Sequence, residues 1–414
     1  VAAFTIEMRD TASAARLGRL ATAHGEIATP AFVPLASKAT VKGLLPAEVS
    51  ALGYEMVLGN TFHLMLNPGP EVIDSFGGLH RFMGWEGPII TDSGGFQVFS
   101  MGHGTVADEI KSRASRDHDG PRQIGTRPPA ILCIEEEGVR FRSYVDGRER
   151  FLSPEGSMAV QAALRSDIAL VFDECTPFHV DRDYTARSTQ RTHRWLTRCL
   201  NWQREHGPQG QLVYGIVQGG IYEDMRRESS ATVADSGCDG VAIGGSLGAE
   251  KQQMYEVVSY AVAELGGAHE ALPRHLLGIG EVDDLIAGVE LGIDTFDCAM
   301  PTRLGRHGTA LVPDPANRWR LDVKKRHLLE DHGPLMEGCH CPACSLGLSR
   351  AYLCYLVRAG EITGMRLLSA HNLAFIASLM ARLREAIADG TLTQTAAALR
   401  AGAAPTERFR SPIR

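Results

Sequence analysis

Eight short apolar runs, each closed at its C-terminal end by glycine or a polar residue, constrain this 414-residue chain more than any other feature. They are FVPLAS (32–37), MVLGNTFH (56–63), PIITDSGG (88–95), IALVFDEC (168–175), LVYGIVQGG (212–220), GVAIGGS (240–246), RHLLGIG (274–280) and IDTFDCAMP (293–301). Continuous runs of this length suit strands covered on both faces, as in a parallel sheet. Helical patterns lie between them. SPEGSMAVQAALRS offers Ser153 as N-cap, Pro154 in the first helical position and Glu155 just inside. YEDMRRESSATVADSG ends on Gly237 and EVDDLIAGVELG on Gly292, the residue type that closes helices in the left-handed region. Eight strands alternating with helices predict an α/β chain folded as a (β/α)8 TIM barrel. A doubly wound sheet is the alternative, but no glycine-rich dinucleotide fingerprint follows the first strand.

The rhythm breaks twice. GHGTVADEIKSRASRDHDGPRQIGTRPPA is polar and rich in Gly, Pro and mixed charge, so 102–133 is expected to be an inserted, exposed loop. From residue 315 the chain turns to a basic stretch, a cysteine cluster and a helical tail. The expected organisation is a barrel over 1–314 and a zinc-binding, helical subdomain over 315–414. No run approaches the ~20 apolar residues of a bilayer-spanning helix, and the opening VAAFTIEMRD lacks the pattern of a secretory leader, so no membrane partner is expected. Six of the nine cysteines are scattered and three crowd together, which reads as a reduced, cytoplasmic chain rather than a disulfide framework.

In such a barrel the chemistry belongs at the C-terminal ends of the strands. Those ends carry Asp92, Asp173, Glu174, Gln218, Gly244, Gly245 and Asp297. A lone Asp at a strand end is more often a cap. Several carboxylates on one face, beside a Gln and paired glycines, fit a double displacement at a sugar centre, one carboxylate attacking and another moving protons. Transferase and hydrolase both remain open on spacing alone. CHCPAC supplies Cys339, Cys341 and Cys344, and His371 follows on a helical segment, completing a closed tetrahedral set for one structural zinc ion. His332 and His340 are alternatives for the fourth ligand. The net charge of −7 (42 Lys+Arg against 49 Asp+Glu) excludes a uniformly basic nucleic-acid coat. It leaves room for a local strip at 303–327, where Arg303, Arg306, Arg318, Arg320, Lys324, Lys325 and Arg326 meet only Asp314 and Asp322, and where a polyanion could dock.

Together TDSGGFQVFS, FDECTP, GIVQGG, AIGG, RHLLGIG, GIDTFDCAMPTRLGRHG and CHCPAC…HN resemble the bacterial-type tRNA-guanine transglycosylases, in the family's order and over nearly the whole chain. The resemblance implies exchange of guanine at the wobble position of GUN-anticodon tRNAs (Asp, Asn, His, Tyr) for 7-aminomethyl-7-deazaguanine, in queuosine biosynthesis, by a zinc-containing homodimer. By motif, Asp297 would be the nucleophile and Asp92 the general acid/base. Asp173, Gln218, Gly244, Gly245 and Ser93 would hold the base edge, with Phe96 stacking on it beside Gln97. Arg303 and Arg306 would grip the neighbouring uridines, while Lys324, Lys325 and Arg326, in the basic strip, are expected to meet the tRNA phosphates. A non-catalytic tRNA-binding subunit need not keep both Asp92 and Asp297. The sequence departs from the bacterial pattern at Ser246 and Gly248, while Cys175 keeps it, so queuine stays open as the incoming base.

Overall fold

The computed structural model describes residues 3–102, 131–176 and 180–406. All eight apolar runs contain a parallel strand: Ala31–Pro34, Val57–Gly59, Ile89–Thr91, Ile168–Leu170, Leu212–Val217, Gly240–Ile243, Arg274–Leu276 and Thr295–Cys298, counted below as barrel strands one to eight. The sheet runs one-eight-seven-six-five-four-three-two. Strand one meets strand two through a parallel bridge at Leu35 and Leu58 and a hydrogen bond from Ala36 N to Leu58 O of 2.7 Å, which closes the barrel. Nearly every strand residue is buried, because helices cover the outside and side chains fill the inside. Ser153 caps helix Pro154–Leu164 by accepting from Gly156 N, and Gly237 and Gly292 take positive φ just past helices Glu223–Asp235 and Val282–Glu290.

Two antiparallel sheets escape the sequence pattern. Phe4–Arg9, Arg16–Thr22 and Gly25–Thr29 form one. It is fastened where barrel strands begin: Arg16 Nε donates to Asp294 just before strand eight at 2.8 Å, within a fully buried ion pair. His24 Nδ1 likewise contacts Asp167, just before strand four, at 2.8 Å. The opposite, C-terminal mouth is left free for a site. The second sheet, Ile131–Ile134, Val139–Arg142 and Glu149–Leu152, lies between strands three and four. This corrects the expectation of a loop over 102–133 at both ends. Gly102 closes helix Gly95–Gly102, and residues 131–133 pair in a strand. Residues 103–130 lie outside the described residues.

Beyond strand eight, helix Met300–Arg306 leads to the strand pair Thr309–Leu311 and Arg320–Asp322, then to the cysteine turn and the 27-residue helix Ile362–Ala388. That helix packs against strand one, helix Val282–Glu290 and helix Met300–Arg306, the place of an eighth barrel helix. Tyr54 Oη donates to Leu373 O at 2.8 Å across this contact. Among the described residues no helix is long and apolar enough to cross a membrane.

Candidate functional site

The mouth of the barrel gathers groups from strands two to eight, six of them giving side chains and strand six its glycine backbone. Asn60, directly after strand two, serves twice. Its Oδ1 caps helix Thr61–Leu66 by accepting from His63 N at 2.9 Å, and its Nδ2 donates to Asp92, directly after strand three. Thr61 N donates to the other Asp92 oxygen at 2.9 Å. Burial drives the Asp92 carboxyl up to about 7; donors from Thr61, Gly94 and Gln97 oppose the shift and the charge of Asp297 adds to it. Asp92 and Asp297 are therefore close enough across the mouth to feel one another. Asp297, 6% exposed in strand eight, accepts from Gly278 N at 3.1 Å and lies 3.2 Å from His275 Nε2. The other nitrogen of His275 meets Thr295 Oγ1 at 2.8 Å, so the imidazole is held on both sides.

The floor is a second hydrogen-bonded unit. Asp173, after strand four, accepts from Ser93 Oγ at 3.0 Å and from Gln218 Nε2 at 2.7 Å. Burial pushes this carboxyl up to about 6, against the pull of those two donors. Gln218 Oε1 is buried beside Gly245 with no hydrogen-bond partner, an unused acceptor. Gly245 must be glycine: its φ is +75° and a Cβ there would stand 2.1 Å from Gln218 Oε1. Gly95 is equally confined, 2.7 Å from Asp173 O by the same construction. Gly244 lines the wall beside Leu277 and Ile216. Phe96, at the start of helix Gly95–Gly102, is 38% exposed.

Of the basic residues, Arg303 and Arg306 stand on helix Met300–Arg306 immediately after Asp297, half-buried. Burial and Arg303 lower the Arg306 pKa, and its Nη1 is buried with no partner. Lys42 feels Arg306 and Lys38, which with burial lower its own pKa. Sequence reading passed over Lys38 and Lys42, which follow strand one without a run of like charge to mark them. None of these four cations has a carboxylate partner among the described residues. Lys324, Lys325 and Arg326 are exposed further along, whereas Arg320 is tied to Glu281. Asn60, Thr61 and His275 were also missed; each acts through a chain-distant contact for which sequence spacing carries no signal.

Cys339, Cys341, Cys344 and His371 converge below this rim. The three sulfurs stand 3.6, 3.3 and 3.7 Å from His371 Nδ1. Zinc–sulfur and zinc–nitrogen bonds of about 2.3 and 2.0 Å at a tetrahedral angle require about 3.5 Å, so the donor set fits that ion. His371 Nε2 lies 2.8 Å from Leu311 O, which fixes the proton there and leaves the Nδ1 lone pair facing the sulfurs. His332 and His340 do not join the cluster.

A protein-family model described as queuine tRNA-ribosyltransferase matches residues 10–404. The chain is 49% identical over 397 residues to the queuine tRNA-ribosyltransferase of Roseiflexus sp. (strain RS-1), covering 94% of this chain and 96% of that one. It is 45% identical to the same-named protein of Pelotomaculum thermopropionicum (94% and 96% covered) and 42% identical to that of Thermus thermophilus (94% and 91%). With a barrel mouth of paired carboxylates, a Cys3His cluster and matches of this extent, the chain belongs to the queuine tRNA-ribosyltransferase family.

Proposed function

We propose that this pentosyltransferase exchanges guanine at the wobble position of GUN-anticodon tRNAs for 7-aminomethyl-7-deazaguanine. The observation that carries the reading is the pair Asp92 and Asp297, held apart by their own donor sets above the Asp173–Gln218 floor. Asp297 attacks the ribose anomeric carbon, and the guanine leaves with the bonding pair and takes up the proton that Asp92 gives as general acid. The covalent Asp297–ribose ester then meets the incoming base, from which Asp92 removes a ring proton before the base displaces Asp297. An Asp92 carboxyl near 7 suits both directions of that transfer. Asp173 accepts from the purine's ring and exocyclic N–H groups while Gln218 and the Gly245 amide hold its carbonyl oxygen, and Phe96 stacks on its face. Arg303, Arg306, Lys324, Lys325 and Arg326 grip the anticodon loop and its phosphates.

The smaller incoming base is favoured by Gly248. Its φ is +100°, and the space a side chain would take is filled by Gln253, whose Oε1 accepts from Ala249 N at 3.0 Å. In competition, 7-aminomethyl-7-deazaguanine is expected to be incorporated ahead of queuine, and Gln253→Ala to narrow that gap; preferential use of queuine by the parent would reverse the assignment. A zinc ion held by Cys339, Cys341, Cys344 and His371 supplies a structural cross-link, with no open position for substrate. A second copy of the chain would cover the exposed Leu346, Tyr352, Tyr355 and Ile362 near that cluster, giving the homodimer.

The decisive experiment is a denaturing gel of enzyme with a GUN-anticodon tRNA. The parent should give a covalent band that incoming base chases away, and Asp297→Asn should give none. Incorporation at the parental rate by Asp297→Asn would refute the nucleophile.

A further inference from the structure

Arg226, on helix Glu223–Asp235 behind strands five and six, is fully buried. Its guanidinium makes four hydrogen bonds, every one to a backbone carbonyl. Nε donates to Gly220 O at 2.7 Å, Nη1 to Val217 O at 3.1 Å and Gly244 O at 2.8 Å, and Nη2 to Ser246 O at 2.9 Å. Among the described residues no carboxylate pairs with it. Burial lowers its pKa to about 9, so it stays charged at neutral pH. Holding two loops together would need only neutral donors; a buried cation without a counterion is costly and calls for a further reason.

The reason lies in which carbonyl it touches. Gly244 C=O and Gly245 N–H belong to one peptide unit. A cation on the oxygen polarises the whole unit and strengthens the N–H as a donor. That N–H faces the buried Cys175 sulfur, a weak acceptor that a purine oxygen would readily replace. Val217, whose carbonyl Arg226 also holds, immediately precedes Gln218 on the floor.

We propose that Arg226 is a positioning residue for base departure, its charge relayed through the Gly244–Gly245 peptide to the carbonyl oxygen of the leaving purine. This rests on the base-exchange reading above. As the bond from the anomeric carbon to the purine nitrogen breaks, its electron pair passes into the purine and spreads to that oxygen, while an Asp297 oxygen bonds the carbon. The Gly245 N–H meets charge that is larger in the transition state than in the bound tRNA, so the effect belongs to kcat rather than to tRNA affinity.

The test compares full-length Arg226→Gln, Arg226→Lys and a control on the same helix, Ser230→Ala, which removes a buried hydrogen bond to Ala261 O of helix Lys251–Ala263 without touching either loop. Single-turnover formation of the covalent complex, KM for tRNA and melting temperature are read for each. Arg226→Gln should slow guanine departure roughly 10- to 100-fold with KM for tRNA unchanged. Arg226→Lys should recover part of the rate by keeping the charge, and Ser230→Ala should keep the parental rate despite its lower melting temperature. The Arg226→Gln penalty should also shrink for a tRNA carrying 8-azaguanine, a purine that accepts the departing pair more easily. Equal rates for Gln and Lys variants, a penalty indifferent to the leaving base, or a rise in KM for tRNA at constant kcat would overturn the proposal. A parent that forms no covalent complex would overturn the base-exchange reading itself, whereas an active parent with an unaffected Arg226→Gln removes only the role of Arg226.

Discussion

Two carboxylates of the barrel mouth have raised pKa values, Asp92 to about 7 and Asp173 to about 6, and both are expensive to hold in the fold. An exposed Asp ionises near 4, so between that value and 7 the folded state keeps a proton on Asp92 that the unfolded chain has lost. Stability therefore falls as pH rises through this window. Asp92→Asn, which cannot ionise, is expected to raise the melting temperature at pH 8 by a few degrees and to leave it unchanged near pH 4, as thermal melts at the two pH values would show. The same substitution should abolish incorporation of the new base, the usual trade of stability for a working site. The kinetic counterpart is a rising limb of kcat/KM for the incoming base, with its midpoint near 7. Asn60 Nδ2 donates to the anionic carboxylate and so favours it; Asn60→Ala should move that limb to higher pH. A limb that moves down, or stays fixed, would mean that Asp92 is not the group being titrated.

Among the elements, the barrel strands were legible because strands buried on both faces must be apolar throughout, and their polar ends then mark the mouth. That logic alone marks Asp92, Asp173, Gln218 and Asp297 in the sequence. The edge strands of the two antiparallel sheets were not legible: Phe4–Arg9 and Glu149–Leu152 each bury a single residue, so no alternation betrays them. Nor was Arg226, since one arginine in an amphipathic helix reads as a solvated face. Helix packing supplies another prediction. A Cβ on Gly305 would stand 2.5 Å from Ser369 N, because helix Met300–Arg306 and helix Ile362–Ala388 touch backbone to backbone there. Gly305→Ala must push the helices apart, at a cost of about 1–3 kcal/mol. Arg303 and Arg306 ride on the displaced helix, so KM for tRNA should rise while affinity for the free base holds, a split that binding titrations and melts can measure together.

On the scale of the molecule, the Cys3His cluster and the proposed base pocket are joined by one path and separated by distance around the ring. His371 lies in the N-terminal half of helix Ile362–Ala388, and its neighbour Asn372 donates to Pro301 O at 2.9 Å and accepts from Leu311 N at 2.7 Å. Through these bonds the cluster braces helix Met300–Arg306, and with it the basic rim beside strands eight and one. Asp92, Asp173 and Gln218 instead follow strands three, four and five, on the other side of the barrel. Loss of the proposed zinc ion would leave three thiol groups crowded around His371 with nothing to join them, so its effect is expected along that helix first. Chelation, checked by metal content, is therefore expected to weaken tRNA binding roughly tenfold or more while the affinity for free 7-aminomethyl-7-deazaguanine changes little. Cys341→Ser should reproduce that pattern with a full barrel signal in circular dichroism. If base affinity collapsed in step with tRNA affinity, the cluster would be holding the whole barrel rather than its docking edge.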